Sequence, residues 1–217
     1  MVNVAILGFG TVGSGVAEVL TRNGGLIDRR VDDLVRLKYI LVRREFPGSP
    51  YQERFVRDFS VIENDPEVDV VVETMGGIDA ALEYTTRALK AGKSVVTSNK
   101  ELVAAHGYEL LRLAKEHGRG YLFEASVGGG IPILRPLTSC LAANELEQVT
   151  GILNGTTNYI LTRMIRAGLT FDQALKEAQA NGYAEKDPTA DVDGHDACRK
   201  ICILAALSFG RHVYPDQ

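Results

Sequence analysis

The chain contains no tryptophan, three cysteines and four histidines. Cys140, Cys198 and Cys202 are an odd, sparse set with no CxxC spacing, which excludes a disulfide framework and offers no zinc site. Cys198 and Cys202 fall on one predicted helix, where free cysteine packs as a small apolar residue. Basic runs are equally scarce. No lysine or arginine patch exceeds two residues and the formal net charge is -4, so nucleic acid is not an expected partner. Long apolar runs are missing as well. The stretch "ICILAALSF" is about half of what a membrane span needs, and "MVNVAILGFG" has neither a basic leader nor a cleavage site, so the expected location is the cytoplasm. What remains is ordinary globular usage, 45% hydrophobic and 24% charged over 217 residues, with no repeat.

The amino terminus reads as a strand, "VNVAILG", running into Gly8-Phe9-Gly10-Thr11-Val12-Gly13 and then an apolar-periodic helix. That order is the context a GxGxxG pattern requires. Gly8 permits the tight turn, Gly10 lets backbone approach a pyrophosphate, and Gly13 lets helix and strand pack closely. Thr11 and Val12 open the helix whose N–H groups would face the phosphates. The next strand, "LKYILVR", ends on Arg43 and Arg44, where NAD-preferring folds usually carry an acid. Two guanidiniums suit a 2′-phosphate, so NADP is the preferred cofactor; Glu45 close by keeps NAD open.

"EVDVVVETMGG" and "SVVTSNK" supply further apolar strands, with helices predicted over 79–91 and 101–117 and a last strand in "GYLFEA". Apolar strands alternating with helices predict a parallel sheet covered on both faces. Ligands of such sheets bind beyond the carboxyl ends of the strands, where Thr74, Ser98, Asn99 and Lys100 fall. Gly128 to Gly130 and Pro132 then mark a change of texture. Beyond them a strand and helix are predicted in "QVTGILNGTTNYILTRMI", followed by a helix begun by Thr170 with Gln173 at capping-box spacing and ended at Gly182. The acidic run "NGYAEKDPTADVDGHDACRK" precedes a final helix over about 194–209. Taken alone, such a run reads as a solvated loop.

In order and at suitable spacing, "GFGTVG", "TSNK", "EASVGGGIPIL", "GILNGTTNYIL" and "GYAEKDPTADVDGHDACRK" resemble homoserine dehydrogenase across essentially the whole chain. The resemblance implies an α/β fold: a Rossmann-type doubly wound parallel sheet over 1–126, then an α+β substrate and dimerisation domain over 127–217. It implies reduction of aspartate semialdehyde to homoserine with NADPH or NADH, a step toward threonine, methionine and isoleucine. It makes Lys200 the proton donor, places Glu185 and Asp196 on the substrate, and sets Gly182 and Lys100 against the cofactor. Glu124 with the backbone of Val127, Gly129 and Ile131 resembles the family's monovalent cation site, for an ion such as sodium. Family members continue beyond the helix that carries Lys200, so this sequence reads either as a fragment with an incomplete second domain or as an unusually short relative, and a homodimer or higher homo-oligomer is expected of the complete chain.

Carbonyl reduction needs a hydride donor and an acid for the developing oxyanion. Lys200 suits the acid if burial or the second cation, Lys100, tunes it, and the two lysines come from different domains. Asp196 lies four residues ahead of Lys200 on one helix face, which as a bare surface pair is worth about 0.5 kcal/mol or less. With Glu185 it would offer carboxylates to a substrate ammonium. Asp187, Asp191 and Asp193 shape the loop, with Asp191 a candidate to support the site from behind. His195 should point about 100° from Asp196 and so away from Lys200. Gly128 to Gly130 serve equally well as a hinge or as carbonyl ligands of a hard cation. Two rivals stand beside the reductase: a nucleotide-binding module without catalysis, and an acylating semialdehyde enzyme. The second needs a loop cysteine near a histidine, whereas the cysteines here fall in predicted helices.

Overall fold

The β-branched runs of the first half become strands of a single sheet. In the computed structural model, which describes residues 1–217, the chain divides into two units, Met1–Gly130 and Ile131–Gln217. The first opens with β1 (Val2–Leu7), α1 (Thr11–Arg22), α2 (Gly24–Val31) and β2 (Val35–Leu41). A two-residue β3 (Phe55–Val56) and a one-turn α3 (Ser60–Glu63) lead into β4 (Val68–Glu73), α4 (Asp79–Lys90), β5 (Ser94–Thr97) and α5 (Lys100–Glu116). β6 (Tyr121–Leu122) and the short α6 (Ala125–Gly128) complete it. All pairings are parallel, in the order β3-β2-β1-β4-β5-β6. The chain therefore starts mid-sheet and winds outward both ways. That reversal between β1 and β4 opens a crevice beyond their carboxyl ends.

Burial accounts for the apolar texture of the strands. Ala5, Ile6 and Leu7 of β1, Ile40 of β2, Val71 of β4 and Val95 of β5 have no exposed surface, as expected for a sheet with helices on both faces. Asp69 interrupts β4 at its amino end, where its Oδ2 accepts the Asn3 backbone N–H at 2.8 Å. The expected strand in "GYLFEA" pairs with β5 only at Tyr121 and Leu122.

The second unit contains a five-residue π-type turn, Pro136–Cys140, then α7 (Gly155–Ala167), α8 (Phe171–Ala180), α9 (Thr189–Val192) and α10 (His195–Phe209). The strand expected in "QVTGIL" is not formed. Residues 148–153 join no ladder, the unit holds no other strand, and Ile152 is 77% exposed. An extended segment becomes a strand only when a neighbour takes up its N–H and C=O groups. Within this chain the regular structure of the second unit is accordingly helical. α7 and α8 pack through Ile160, Ala174 and Ala178. Thr170 and Gln173 close the capping box that their spacing predicts. At the other end of α8 the cap residue is Asn181 rather than Gly182, and the glycine follows it in the left-handed region at φ +75°.

Candidate functional site

The glycine turn is held by short-range geometry in the first unit. Gly8 adopts φ +97° and its N–H donates to Leu41 O at 3.0 Å. A Cβ on Gly13 would lie 2.1 Å from Gly8 O and 2.8 Å from Thr74 Oγ1, so only glycine lets α1 come this close to the turn. Gly10, by contrast, faces open space. Thr74, just past the end of β4, locks the arrangement: its hydroxyl donates to Leu7 O at 2.9 Å and its N–H to the same oxygen at 3.0 Å. Gly10 is the N-cap of α1, with no capping side chain and no acid in the first turn. α5, α7 and α8 are capped instead by Asn99, Asn154 and Thr170. The start of α1 thus keeps its N–H groups and positive dipole end available to an anion, which is what a pyrophosphate requires.

Beside the turn lies a cleft of about 440 Å³ lined by Gly8, Gly10, Arg43, Arg44 and Thr74 of the sequence-predicted residues. Thr11 and Val12 are exposed at the head of α1, and Gly13 is buried beneath it. Arg43 carries no ion pair, whereas Arg44 stacks over Phe46 at 5.0 Å. A third guanidinium, Arg57, also lines the cleft, 3.7 Å from Glu45. Arg57 could not be singled out from the sequence because β3 is only two residues long. Val56 pairs with Leu41, and that pairing carries Arg57 to the end of β2.

At the ends of β4 and β5 a buried hydrogen-bond chain fixes the rim where Ser98 and Lys100 sit. Glu73 has no exposed surface; its carboxylate accepts Met75 N at 2.7 Å and Thr97 Oγ1 at 2.5 Å. Thr97 Oγ1 accepts Asn99 N at 2.9 Å, and Asn99 caps α5 while donating to Gly77 O at 2.6 Å. Lys100 is the first residue of α5 and is half-buried, as is Ser98. Glu73 and Thr97 were not singled out from sequence. An acid closing the run of three valines, Val70 to Val72, was the available signal.

In the second unit the acidic run is sorted by its partners. Lys200 Nζ donates to Asp196 Oδ2 at 2.7 Å and to Leu153 O at 2.8 Å, with side-chain exposures of 15% for Lys200 and 3% for Asp196. Two ammonium hydrogens are used, leaving the third for a ligand oxygen. Asn154 joins Asp196 to Asp191, donating to their carboxylates at 2.9 Å and 2.7 Å. Lys200, Asp196 and Asp191 therefore share one network. Glu185 lies outside it on the exposed stretch after Gly182, where its carbonyl accepts from Gln179 Nε2 at 3.1 Å. His195 is exposed at the head of α10. His212 is half-buried with its ring 4.3 Å from Tyr214.

The remaining candidates divide by chemistry. Glu124 is the N-cap of α6, Val127 is buried in it, Gly129 follows at φ +60°, and Ile131 is 73% exposed. Burial and the neighbouring Cys198 push the Cys202 thiol up to about 11, away from thiolate chemistry.

The pattern of the family described as "Homoserine dehydrogenase, NAD binding domain" matches residues 8–124, and that of "Homoserine dehydrogenase" matches residues 132–217. The homoserine dehydrogenase of Lactococcus lactis is 44% identical over 100% of this chain and 52% of its own length; that of Bacillus subtilis is 44% identical over 98% and 50%. Among solved structures, a homoserine dehydrogenase from Thiobacillus denitrificans superposes with a TM-score of 0.92 at 42% identity, covering 99% of this chain and 50% of that one. A hyperthermophilic archaeal homoserine dehydrogenase in complex with NADPH gives 0.84 at 31% identity, covering 97% and 70%. The chain spans about half the length of the Lactococcus and Bacillus relatives. With the two family patterns together spanning nearly the whole chain and the fold superposing on a solved member at 42% identity, the chain belongs to the homoserine dehydrogenase family.

Proposed function

We propose that this chain carries the catalytic region of an NADPH-preferring homoserine dehydrogenase, reducing L-aspartate 4-semialdehyde to L-homoserine. Residues 1–126 form the dinucleotide-binding domain of this reading and residues 127–217 the substrate domain. The observation that carries it is Lys200, whose ammonium is held by Asp196 and Leu153 O with one hydrogen left over. A carbonyl that gains hydride needs a proton on its oxygen, and a lysine fixed in this way can deliver it without first reorganising. Asp196 takes part of the ammonium's charge and orients it. Glu185, Asp196 and Asp191 supply the negative field for the substrate's ammonium group.

When bound, the cofactor supplies the hydride from its nicotinamide ring. The uncapped start of α1 and open Gly10 suit its pyrophosphate, and the NADPH named for the archaeal relative agrees with Arg43, Arg44 and Arg57 in the adjoining cleft. Lys100 and Ser98 at the head of α5, and Gly182, are the further cofactor contacts of this reading. Glu124 with the carbonyls of Val127, Gly129 and Ile131 is an all-oxygen set suited to a monovalent cation such as sodium. A cytoplasmic homodimer or larger homo-oligomer is the form proposed for the complete protein.

The test is NADPH oxidation by the 217-residue chain with aspartate semialdehyde, run beside a titration of NADPH binding. Turnover that Lys200→Ala reduces by about 10²- to 10⁴-fold, with cofactor affinity kept, is expected from the loss of a general acid. Cofactor binding without turnover would reduce the chain to a dinucleotide-binding module.

A further inference from the structure

Asn154 is 7% exposed and caps α7, its Oδ1 accepting Thr157 N at 2.8 Å and Thr157 Oγ1 at 2.9 Å. A cap needs no more than that. Yet both of its amide hydrogens are also committed, one to Asp191 Oδ1 on α9 and one to Asp196 Oδ2 on α10. Only one orientation of the amide works. Reversed, its oxygen would face two carboxylates and its hydrogens would face the Thr157 N–H. The same Asp196 oxygen receives Lys200 Nζ, and Lys200 also donates to Leu153 O, the residue immediately before Asn154. Three helices thus meet at a single side chain.

We propose that Asn154 is the positioning residue of this site: it bridges Asp191 and Asp196 so that the Lys200 ammonium is held in one place. The proposal rests on the reading of Lys200 as the acid for its purpose, but not for its geometry. Two carboxylates brought together repel one another. A neutral group that donates to each lets both act as acceptors at close range. Asp196, fixed from behind by Asn154, cannot follow Lys200 as it moves, and the Leu153 carbonyl anchors the ammonium from a second side.

Serine and aspartate test the bridge while sparing the cap, since both accept an N–H at an N-cap about as well as asparagine. Asn154→Ser removes the two donated bonds. Asn154→Asp replaces them with oxygen facing oxygen. The first readout is independent of turnover: hydrogen exchange of the Lys200 ammonium in protein labelled with ¹⁵N-lysine, at mildly acidic pH and low temperature, with the signal assigned by its loss in Lys200→Met. Loss of a hydrogen bond to a charged group predicts exchange at least about tenfold faster in Asn154→Ser, and faster again in Asn154→Asp. The second readout is NADPH oxidation, where kcat should fall by about tenfold or more while KM for NADPH stays within about twofold. Unchanged ammonium exchange in both variants overturns the proposal, whether or not the wild-type chain turns over. Faster exchange in a chain without aspartate semialdehyde reductase activity would uphold the positioning role and remove the proposed reaction.

Discussion

Arg43 and Lys200 carry the same charge in opposite settings. Arg43 is exposed and carries no ion pair at the mouth of its cleft, whereas Lys200 is 15% exposed and bonded twice. A cation left open at the end of β2 suits a phosphate that arrives with its ligand; a cation already fixed suits a proton that must leave on cue. Arg43→Ala should therefore raise the Kd for NADPH by about tenfold, the worth of one charge-assisted bond, and leave NADH within about twofold. Parallel fluorescence titrations decide this, and equal losses for both cofactors would remove the 2′-phosphate assignment. Both residues could be named as candidates from the sequence, Arg43 as the end of a strand and Lys200 within the acidic run that carries the family resemblance. Asn154, Glu73 and Arg57 could not. Asn154 takes its meaning from carboxylates 37 and 42 residues away, and Arg57 from a strand pairing of two residues.

Among the elements, α1 and α7 show how helix starts divide between ligand and structure. α7 opens on Asn154, whose side chain satisfies Thr157; α1 opens on Gly10, which has no side chain to cap the first turn. Two glycines within α1 separate propensity from packing. Alanine is favoured over glycine in a helix interior by about 1 kcal/mol, so propensity alone predicts that both Gly13→Ala and Gly15→Ala stabilise the protein. Gly15 has open space where a Cβ would go, and its substitution should raise the thermal midpoint. Gly13 would place a Cβ against backbone at 2.1 Å, so Gly13→Ala should cost about 1–3 kcal/mol and weaken NADPH binding by about tenfold or more. Thermal unfolding with and without NADPH measures both effects; a stabilised Gly13→Ala that still binds would show the turn to be free to open. The long helices could be read from periodicity and caps because those signals are local. The segment at 148–153 could not, since its sequence is strand-like and whether it pairs is decided by neighbours that the second unit of this chain does not provide.

Across the first unit, the two ends of the sheet handle charge differently. The carboxyl ends carry Arg43, Arg44 and Lys100 beside the buried Glu73 and the long Arg57–Glu45 contact, while the amino ends hold closer ion pairs and a buried lysine. There Lys38 meets Asp65 at 2.7 Å, Arg87 meets Glu63, and Lys93 donates to Asp65 O at 2.6 Å. Hydrogen bonds from Lys38 and Arg87 hold the Asp65 and Glu63 carboxyls below their ordinary values of 3.8 and 4.5. Because these pKa values are lower in the folded protein than in the unfolded chain, the stability they contribute is present above those ordinary values. It is lost as pH falls through the lower, folded values, where the folded state must take up protons too. Urea midpoints should therefore change little between about pH 7 and pH 5 and drop steeply below about pH 4. Glu63→Gln should lower the unfolding free energy at neutral pH by about 1 kcal/mol or less, the range for a partly exposed pair, and make the acid decline shallower. A mutant whose acid profile runs parallel to the wild type would show that Glu63 does not supply the acid sensitivity, and the same measurement on Asp65→Asn would then test the Lys38 pair alone.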